Sequence, residues 1–470
     1  MKSSLVALTT LALSLTSYAL HADSLRDIYE LALENDAQLK AEQAVYLARR
    51  ETEVLSRSQL LPQVTGSYSF QNSDTDTTGP RPNFDTGEFV LIDTFENRDA
   101  DTEGYRVSLS QALFDLPAWF SFQSGREVTR EAEATFAANQ QNLIVRVVEA
   151  YLGVLRAQDN LEASEATERA FARQLEQTQQ RFEVGLIAIT DVYEAQAAHD
   201  LAEVNRIVDE NNVSVALERL SILTGQQHDN LFVLGEDFKI TPPEPLDRAA
   251  WVDFSLENNF QLQAARHREE AARQTAKANK LEHAPTITGG YEYSDFETSG
   301  ELTVRPPTGF DVPPDTDREE EMWQITLSMP LFTGGAISAE RRRAAQEFNA
   351  AREERINLTR NTVTNTRSLH MTVVSDVSRV AARKQSIVSS RSALDATQAG
   401  YEVGTRNVVD VLNAQNTLFS ALRDYANTRY DYILNLMRLK EQSGLLSPED
   451  VYTLNSLLVA PPPPTATGTP

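Results

Sequence analysis

The chain has 470 residues, 41% of them hydrophobic, so it is long enough for more than one folded domain and its composition excludes overall disorder. Its formal net charge is −25, and a surface this acidic repels nucleic acids and anionic lipids. Cysteine is absent, which excludes disulfide bonds and thiolate-bound metals.

The first 22 residues have the features of a secretory signal peptide. Lys2 is followed by an apolar run over Leu5–Leu20 and by a small residue, Ala22, an order typical of a cleaved leader. We expect cleavage after Ala22, which makes Asp23 the first residue of the mature chain. No later segment offers about 20 consecutive apolar residues, so we expect no membrane-spanning helix.

The first half of the chain predicts helices and strands in a definite order. Apolar residues at three- and four-residue spacing indicate helices, and alternation of apolar with polar residues indicates strands. A stretch rich in Asp, Thr, Gly and Pro is expected to be a long exposed loop. The predicted elements are a helix over 23–60, a strand over 64–70, the loop over 72–103, a strand over 105–110, a long helix over 119–182 and a return helix over 191–224.

The second half repeats this order, which indicates a tandem duplication. LENDAQL from Leu33 matches LENNFQL from Leu256, and LSQALFD from Leu109 matches LSMPLFT from Leu327. The predicted elements are strands over 287–293 and 323–329, a loop over 295–321 and helices over 336–401 and 410–443. We divide the chain into a leader (1–22), a first repeat (23–225), an equatorial connector (226–250), a second repeat (251–444) and a C-terminal equatorial segment with a disordered Pro-rich tail (445–470).

One stretch occurs twice, between the long helices of each half. It reads RFEVGLIAITDVYEAQ from Arg181 and GYEVGTRNVVDVLNAQ from Gly400. Gly accepts the left-handed conformation that ends a helix, and Asp at the start of the next helix accepts hydrogen bonds from its free amides. We therefore interpret both copies as tips of helical hairpins, with Asp191 and Asp410 as the capping residues.

The four strands have one apolar and one polar face, as in an outer-membrane β-barrel. Four strands cannot enclose a lumen, and an open sheet edge in lipid leaves backbone groups unpaired. Copies of the chain must therefore close the barrel: two would give eight strands with a filled interior, and three would give twelve with a passage. We expect three. The alternative is a structural coiled-coil envelope protein without a pore, which has no use for the strands.

The doubled tip, the paired strands and the duplication together resemble the TolC family of outer-membrane efflux proteins over essentially the whole mature chain. The resemblance implies a mostly helical, trimeric channel-tunnel, in which a twelve-stranded outer-membrane barrel continues into a periplasmic helical barrel. It also implies a passive exit duct of a tripartite efflux or type I secretion system, opened when an inner-membrane pump of the RND, ABC or MFS type and a periplasmic adaptor dock.

The resemblance also implies a gate at the periplasmic end. Asp410, repeated by threefold symmetry, would form an acidic ring; the family has a second acid one helical turn later, where this chain has Asn413. The other interpretation of Asp410 and Asp191 is a helix N-cap. By position in the family, polar links that hold the end shut would join Thr190 and Asp191 to Arg406, Asp191 to Tyr401, and Gln174 to Gln398.

The tip residues are expected to contact the adaptor, since exposed Val and Leu at a turn otherwise need a helix-end contact to explain them. They are Val184, Gly185, Leu186, Val403, Gly404 and Thr405.

The sequence gives little support to an enzymatic function. No phosphate-binding loop or nucleophile motif is present, and the five histidines of the mature chain have no metal-ligand spacing. We expect these histidines to be surface helix residues, and we expect no catalytic activity, cofactor or bound metal: His199, His228, His267, His283 and His370.

Overall fold

A computed structural model describes residues 23–84, 89–235, 238–309 and 311–461. The predicted leader and the last nine residues of the Pro-rich tail lie outside these ranges. The elements, in chain order, are α1 Leu25–Asn35, α2 Ala37–Ser58, β1 Gln63–Asn83, β2 Val90–Phe114, α3 Leu116–Glu183, α4 Ile189–Thr224, β3 Val233–Leu234, α5 Arg248–Asn258, α6 Phe260–Lys280, β4 Thr286–Arg305, β5 Thr316–Ser328, α7 Ala336–Glu402, α8 Val408–Gln442, α9 Pro448–Asn455 and β6 Leu458–Val459.

Two compact units share these elements. The strand unit comprises Tyr46–Ala134 and Gln263–Asn357, and the helical unit comprises the described parts of Met1–Val45, Thr135–Leu262 and Leu358–Pro470. Each unit contains segments from both halves of the chain. The division into sequence repeats is a different division, and it stays a prediction.

The strand unit contains one antiparallel sheet in the order β1-β2-β4-β5. Its strands are longer than the alternation predicted, since β1 pairs with β2 from Gln63 opposite Ser110 to Asn83 opposite Val90. The loops predicted over 72–103 and 295–321 are therefore wrong for the most part: most of these residues continue the strands.

Cross-strand hydrogen bonds explain why this acidic stretch is a strand. Two asparagine amides lie between carboxylates on the facing strand and donate to them at 2.7 to 3.1 Å, from Asn72 to Asp99 and Asp101 and from Asn97 to Asp74 and Asp76. Directly opposite residues share a face of the sheet, so each amide offsets the repulsion between neighbouring acids. The content of Asp, Thr, Gly and Pro, from which a loop was predicted, gives no sign of this pairing.

One face of the sheet carries an exposed apolar band. The register places Val64, Leu109, Tyr291 and Trp323 in one row across the four strands. Trp323 is 77% exposed and Val64 is 64% exposed. Monomeric proteins seldom expose a contiguous apolar surface of this kind to water, so this face requires an apolar environment.

The core of the helical unit lies against the middle of α3. Four apolar residues of the helix predicted over 119–182 recur at three- and four-residue spacing and are fully buried: Leu143, Val147, Tyr151 and Val154. The Tyr151 hydroxyl donates to the carbonyl of Phe232 at 2.7 Å, so the one polar atom of that row is paired.

Two histidines are buried in this unit, so the prediction that all five lie on the surface is wrong for His228 and His370. The ring of His228 bonds the Asp23 carboxylate and the Thr224 hydroxyl, each at 2.7 Å. The backbone N–H of Asp23 donates to Asn230 at 2.8 Å. These contacts attach the first described residue to the end of α4, which pattern reading could not foresee.

The helix predicted over 23–60 is broken at Asp36. Its side chain accepts from the backbone N–H of Leu39 at 2.6 Å and receives both Nη atoms of Arg146, at 3.0 and 3.1 Å. In the second half Asn259 does the same for α6, accepting from the N–H of Leu262 at 2.8 Å. A capping side chain thus starts a new helix at equivalent points of the duplication.

Burial alone would raise the pKa of Asp36. The hydrogen bonds from Arg146 and Leu39 and the Arg146 charge outweigh burial and lower that pKa below its ordinary value. Because the ionised form is favoured in the folded state, the stabilisation is present above the ordinary pKa and is lost as pH falls through the lowered one.

No helix among the described residues combines the length and the apolarity that crossing a membrane would take.

We predict that Asp36→Asn destabilises the helical unit at neutral pH by about 3 kcal/mol, because it leaves a half-buried Arg146 without its counter-charge. The difference between variant and wild type should shrink as pH falls towards the lowered pKa. Chemical denaturation from pH 7 to pH 2 measures it. Asp395→Asn, at an exposed site on α7, is the control and should stay close to wild type. A loss that does not vary with pH would contradict the ion-pair account.

Candidate functional site

The two hairpin tips have the same backbone geometry. Gly185 (φ 77°) follows α3 and Gly404 (φ 78°) follows α7. At the first tip the Gly185 N–H donates to Phe182 and the Leu186 N–H to Arg181, at 2.8 and 2.9 Å. At the second, Gly404 donates to Tyr401 and Thr405 to Gly400, at 3.1 and 2.9 Å. Both are Schellman motifs, which require a left-handed residue after the helix and so favour Gly there.

The tips differ in how the return helix starts. Asn407 is the N-cap of α8: its Oδ1 accepts from the Asp410 N–H at 2.8 Å, and the Asp410 carboxylate accepts from the Asn407 N–H at 3.4 Å. Ala188 is at the equivalent position of α4 and has no capping side chain. The interpretation of Asp191 and Asp410 as N-caps is therefore wrong, because both lie in the third helical position. The Asn-x-x-Asp spacing is the signal that could have found Asn407.

The predicted ring residues lie one turn apart on α8. The Asp410 side chain is 37% exposed and lies 3.8 Å from Arg406, and Asn413 is exposed. Residues three apart share a helix face, so both can point the same way. Gly400 leaves room for the Arg406 side chain, since a Cβ on Gly400 would lie 2.8 Å from the Arg406 Cγ.

Within the described residues of one chain, none of the predicted polar links is made. Tyr401 is 8% exposed, its hydroxyl is buried without a hydrogen-bond partner, and the Arg181 guanidinium lies 4.6 Å from its ring centroid. Among the described residues no hydrogen bond or ion pair joins Arg406 to Thr190 or Asp191; Thr190 donates to Asp191 at 3.4 Å instead. These links stay predictions, and Arg181 is a contact that sequence reasoning missed.

Gln174 and Gln398 line the same cleft between α3 and α7, together with Tyr401 and Arg181. The Gln174 amide donates to the hydroxyl of Thr178 at 3.5 Å, and Gln174 is 4% exposed. The structure thus brings the predicted glutamine pair to one place, and no hydrogen bond between the two is present.

The residues expected to dock a partner are exposed. Val184, Leu186 and Val403 are 70%, 69% and 76% exposed. Gly185 lies in the turn of the first tip, and Gly404 and Thr405 lie in the turn of the second. Tyr401, Val408, Val411 and Leu412 form a buried cluster with Phe171 just behind the second tip. The apolar tip side chains therefore lie outside the core and are mostly exposed to water in a single chain.

Comparison with known proteins agrees with this geometry. The family model described as outer membrane efflux protein matches residues 28–226 and 251–445. The outer membrane protein TolC of Vibrio cholerae serotype O1 is 34% identical over 466 residues, covering 97% of this chain and 98% of its own. The alkaline protease secretion protein AprF of Pseudomonas aeruginosa is 31% identical over 429 residues, covering 91% of this chain and 85% of its own.

A solved structure has the same fold. The outer membrane protein VceC from Vibrio cholerae superposes with a TM-score of 0.72 at 17% sequence identity, and the match covers 89% of this chain and 96% of that one.

The long helices, the four strands and the doubled glycine tip define a channel protein of the outer membrane, and the chain belongs to the outer membrane efflux protein family. It is an outer-membrane protein that extends into the periplasm and acts as an exit duct for efflux or type I secretion. The family is one of transport proteins.

We predict that Gly404→Val loosens the second tip, since a side chain at φ 78° is strained by about 1 to 2 kcal/mol. Hydrogen–deuterium exchange of the peptide that spans the tip should accelerate several-fold. Gly153→Ala is the matched control: it lies inside α3, where the added Cβ would meet no atom within 4 Å beyond the adjacent residues and the local backbone of its own helix, and tip exchange should not change. Wild-type exchange in Gly404→Val would count against the turn assignment.

We predict that Asn407→Ala frays the first turn of α8, because losing an N-cap costs about 1 kcal/mol. The reciprocal change Ala188→Asn should slow exchange at the start of α4 by supplying the missing cap. Amide exchange at the two helix starts tests both. Wild-type exchange in both variants would show that the difference in capping has no energetic effect.

Proposed function

We propose that three copies of the chain assemble into a conducting duct that works with an inner-membrane pump and a periplasmic adaptor. Their twelve strands close a barrel, and their six helical tips form a gate that the partners open. The duct passes its cargo without chemistry of its own and holds no cofactor.

The observation that carries the proposal is the open sheet. β1 and β5 are its two outer strands, and each pairs with only one described strand of the same chain. An outer strand in lipid leaves unpaired backbone groups that cost several kcal/mol each. Pairing β1 of one copy with β5 of the next removes both edges, and the exposed apolar band then faces lipid all round. Three copies give a lumen that side chains do not fill.

An exposed apolar stripe on α4 also supports assembly with neighbouring copies of the chain. Its apolar residues recur at coiled-coil spacing and are 41% to 74% exposed: Leu201, Val204, Val208, Val215 and Ile222. The stripe lies within the helical unit and is uncovered in a single chain. A neighbouring copy is the occupant we propose, since every copy carries the same stripe and a cyclic assembly covers all of them.

The gate proposal rests on the second tip. Asp410 on three copies would form an acidic ring that favours cations, with Asn413 as its neutral second tier. The Tyr401 hydroxyl has no hydrogen-bond partner among the described residues of one chain, and a buried hydroxyl without a hydrogen bond costs about 1 to 3 kcal/mol. We propose that it finds an acceptor, Asp191, in the closed assembly, and that Arg406 exchanges Asp410 for Thr190 and Asp191 there. The Gln174–Gln398 pair adds a neutral link.

The strength of such a gate suits its function. Solvent-exposed polar links contribute about 0 to 1 kcal/mol each, so several are needed to hold the end shut and a docking partner can break them. The exposed Val184, Leu186 and Val403 at the tips offer that partner an apolar contact. In this proposal the pump and adaptor select the cargo, which is either small toxic compounds or polypeptides.

Purified protein tests the assembly. Native mass spectrometry should give three times the chain mass, and planar bilayers should show ion conductance through the same preparation. A stable monomer or a trimer without conductance would contradict the duct. Deleting the gene and comparing sensitivity to toxic compounds with the profile of secreted proteins then separates efflux from secretion.

We predict that the double substitution of Tyr401→Phe with Arg406→Ala raises single-channel conductance several-fold, because it removes the links proposed to close the tips. Planar-bilayer recording measures it. Tyr193→Phe with Arg169→Ala changes the same residue types at exposed positions of the first hairpin and should leave conductance unchanged. Equal conductance of both double variants would overturn the link proposal.

A further inference from the structure

Three possible metal ligands lie together on α4, outside the proposed gate. His199, Asp200 and Glu203 each offer one ligand atom, and these atoms lie within 4.8 Å of one another. His199 and Glu203 are four residues apart and so share a helix face. His199 lies ten residues after the start of α4, which is about 15 Å along the helix.

One ring nitrogen of the His199 imidazole is buried and has no hydrogen-bond partner among the described residues. Its Nδ1 is buried and makes no hydrogen bond, although a carboxylate oxygen of Asp200 is 3.7 Å away. That separation is too long for a hydrogen bond. It is close to the roughly 3.5 Å between ligand atoms bound tetrahedrally at about 2.1 Å. A buried polar atom without a partner points to an ion or a water between the two.

A second residue holds the carboxylate in place. The side-chain amide of Gln196 donates to the same oxygen of Asp200 at 2.6 Å. Outer hydrogen bonds of this kind orient metal ligands and raise affinity in protein metal sites. Gln196 is the last residue of the tip motif, so the cluster begins where the two copies of that motif stop matching.

The duplication provides an internal comparison. At the positions equivalent to His199, Asp200 and Glu203 the second copy has Leu418, Phe419 and Leu422. Leu418 is buried at 7% exposure, whereas Asp200 and Glu203 are exposed. The equivalent positions of the second hairpin therefore pack without polar residues, and of the two described hairpins the first alone carries the cluster.

We propose that His199, Asp200 and Glu203 form a binding site for a divalent transition-metal ion, with Zn²⁺ as its representative. One imidazole nitrogen and two carboxylate oxygens suit Zn²⁺, Ni²⁺ or Cu²⁺ and leave a coordination position open to water. Mg²⁺ and Ca²⁺ prefer all-oxygen sites and should bind far more weakly. All three ligands come from one helix of one chain, and none of them is a proposed gate residue.

Titration of the detergent-solubilised full-length protein with ZnCl₂ by isothermal calorimetry tests the proposal, in the presence of excess Mg²⁺. We expect one Zn²⁺ per chain. His199→Gln should weaken binding at least tenfold and Glu203→Gln several-fold. Glu194→Gln, which removes the same charge from an exposed position on the same helix, should have no effect. Co²⁺ should give visible absorption bands in wild type that His199→Gln abolishes.

Three outcomes would overturn the site: no Zn²⁺ binding by the wild type, equal Zn²⁺ affinity in His199→Gln, or full competition by Mg²⁺, which would indicate only a diffuse attraction to the acidic surface. Size-exclusion profiles of the variants establish that they are folded. Glu203→Gln removes an exposed ligand and keeps the test valid if His199→Gln does not fold.

Discussion

The backbone of the two outer strands imposes the constraint on which the rest of the structure depends. β1 and β5 each carry a row of N–H and C=O groups that no other described strand of the chain pairs, and the lipid that the exposed apolar band calls for offers these groups no hydrogen-bond partner. An outer-membrane protein built this way reaches a low-energy state only by assembly. The fold of the single chain is therefore best understood as one part of a closed object.

The duplication has kept the backbone and changed the side chains. Both tips have a Schellman turn around a left-handed Gly. At the start of each half a capping side chain separates two helices, Asp36 between α1 and α2 and Asn259 between α5 and α6. Yet Asp36 binds Arg146, whereas Asn259 donates to the carbonyl of Gln442; and Asn407 caps its helix whereas Ala188 cannot. Once two copies of a turn are fixed, each copy can specialise, which is why the tips are not interchangeable.

Sequence periodicity predicted the elements whose partners are local. The long helices followed from the spacing of apolar residues, and the turns at the two tips followed from the left-handed conformation that Gly accepts. It failed where long-range contacts decide the structure. The acidic stretch around Asn72 reads as a loop until the facing Asp99 and Asp101 are known, and Asp410 reads as an N-cap until Asn407 is seen to occupy that position. His228 lies in the core, where its ring bonds Thr224 from the same segment and Asp23, which is 205 residues away in sequence.

The claim at the centre of this account is that β1 of one copy pairs with β5 of the next. Because the chain has no cysteine, single cysteines can be placed on each outer strand, at Ser67 or Ser69 with Thr326 or Ser328, without any background. Oxidation in the outer membrane should give covalent species that stop at three chains for at least one combination. Crosslinks confined to a single chain, or a ladder that continues past three, would contradict the closed trimer.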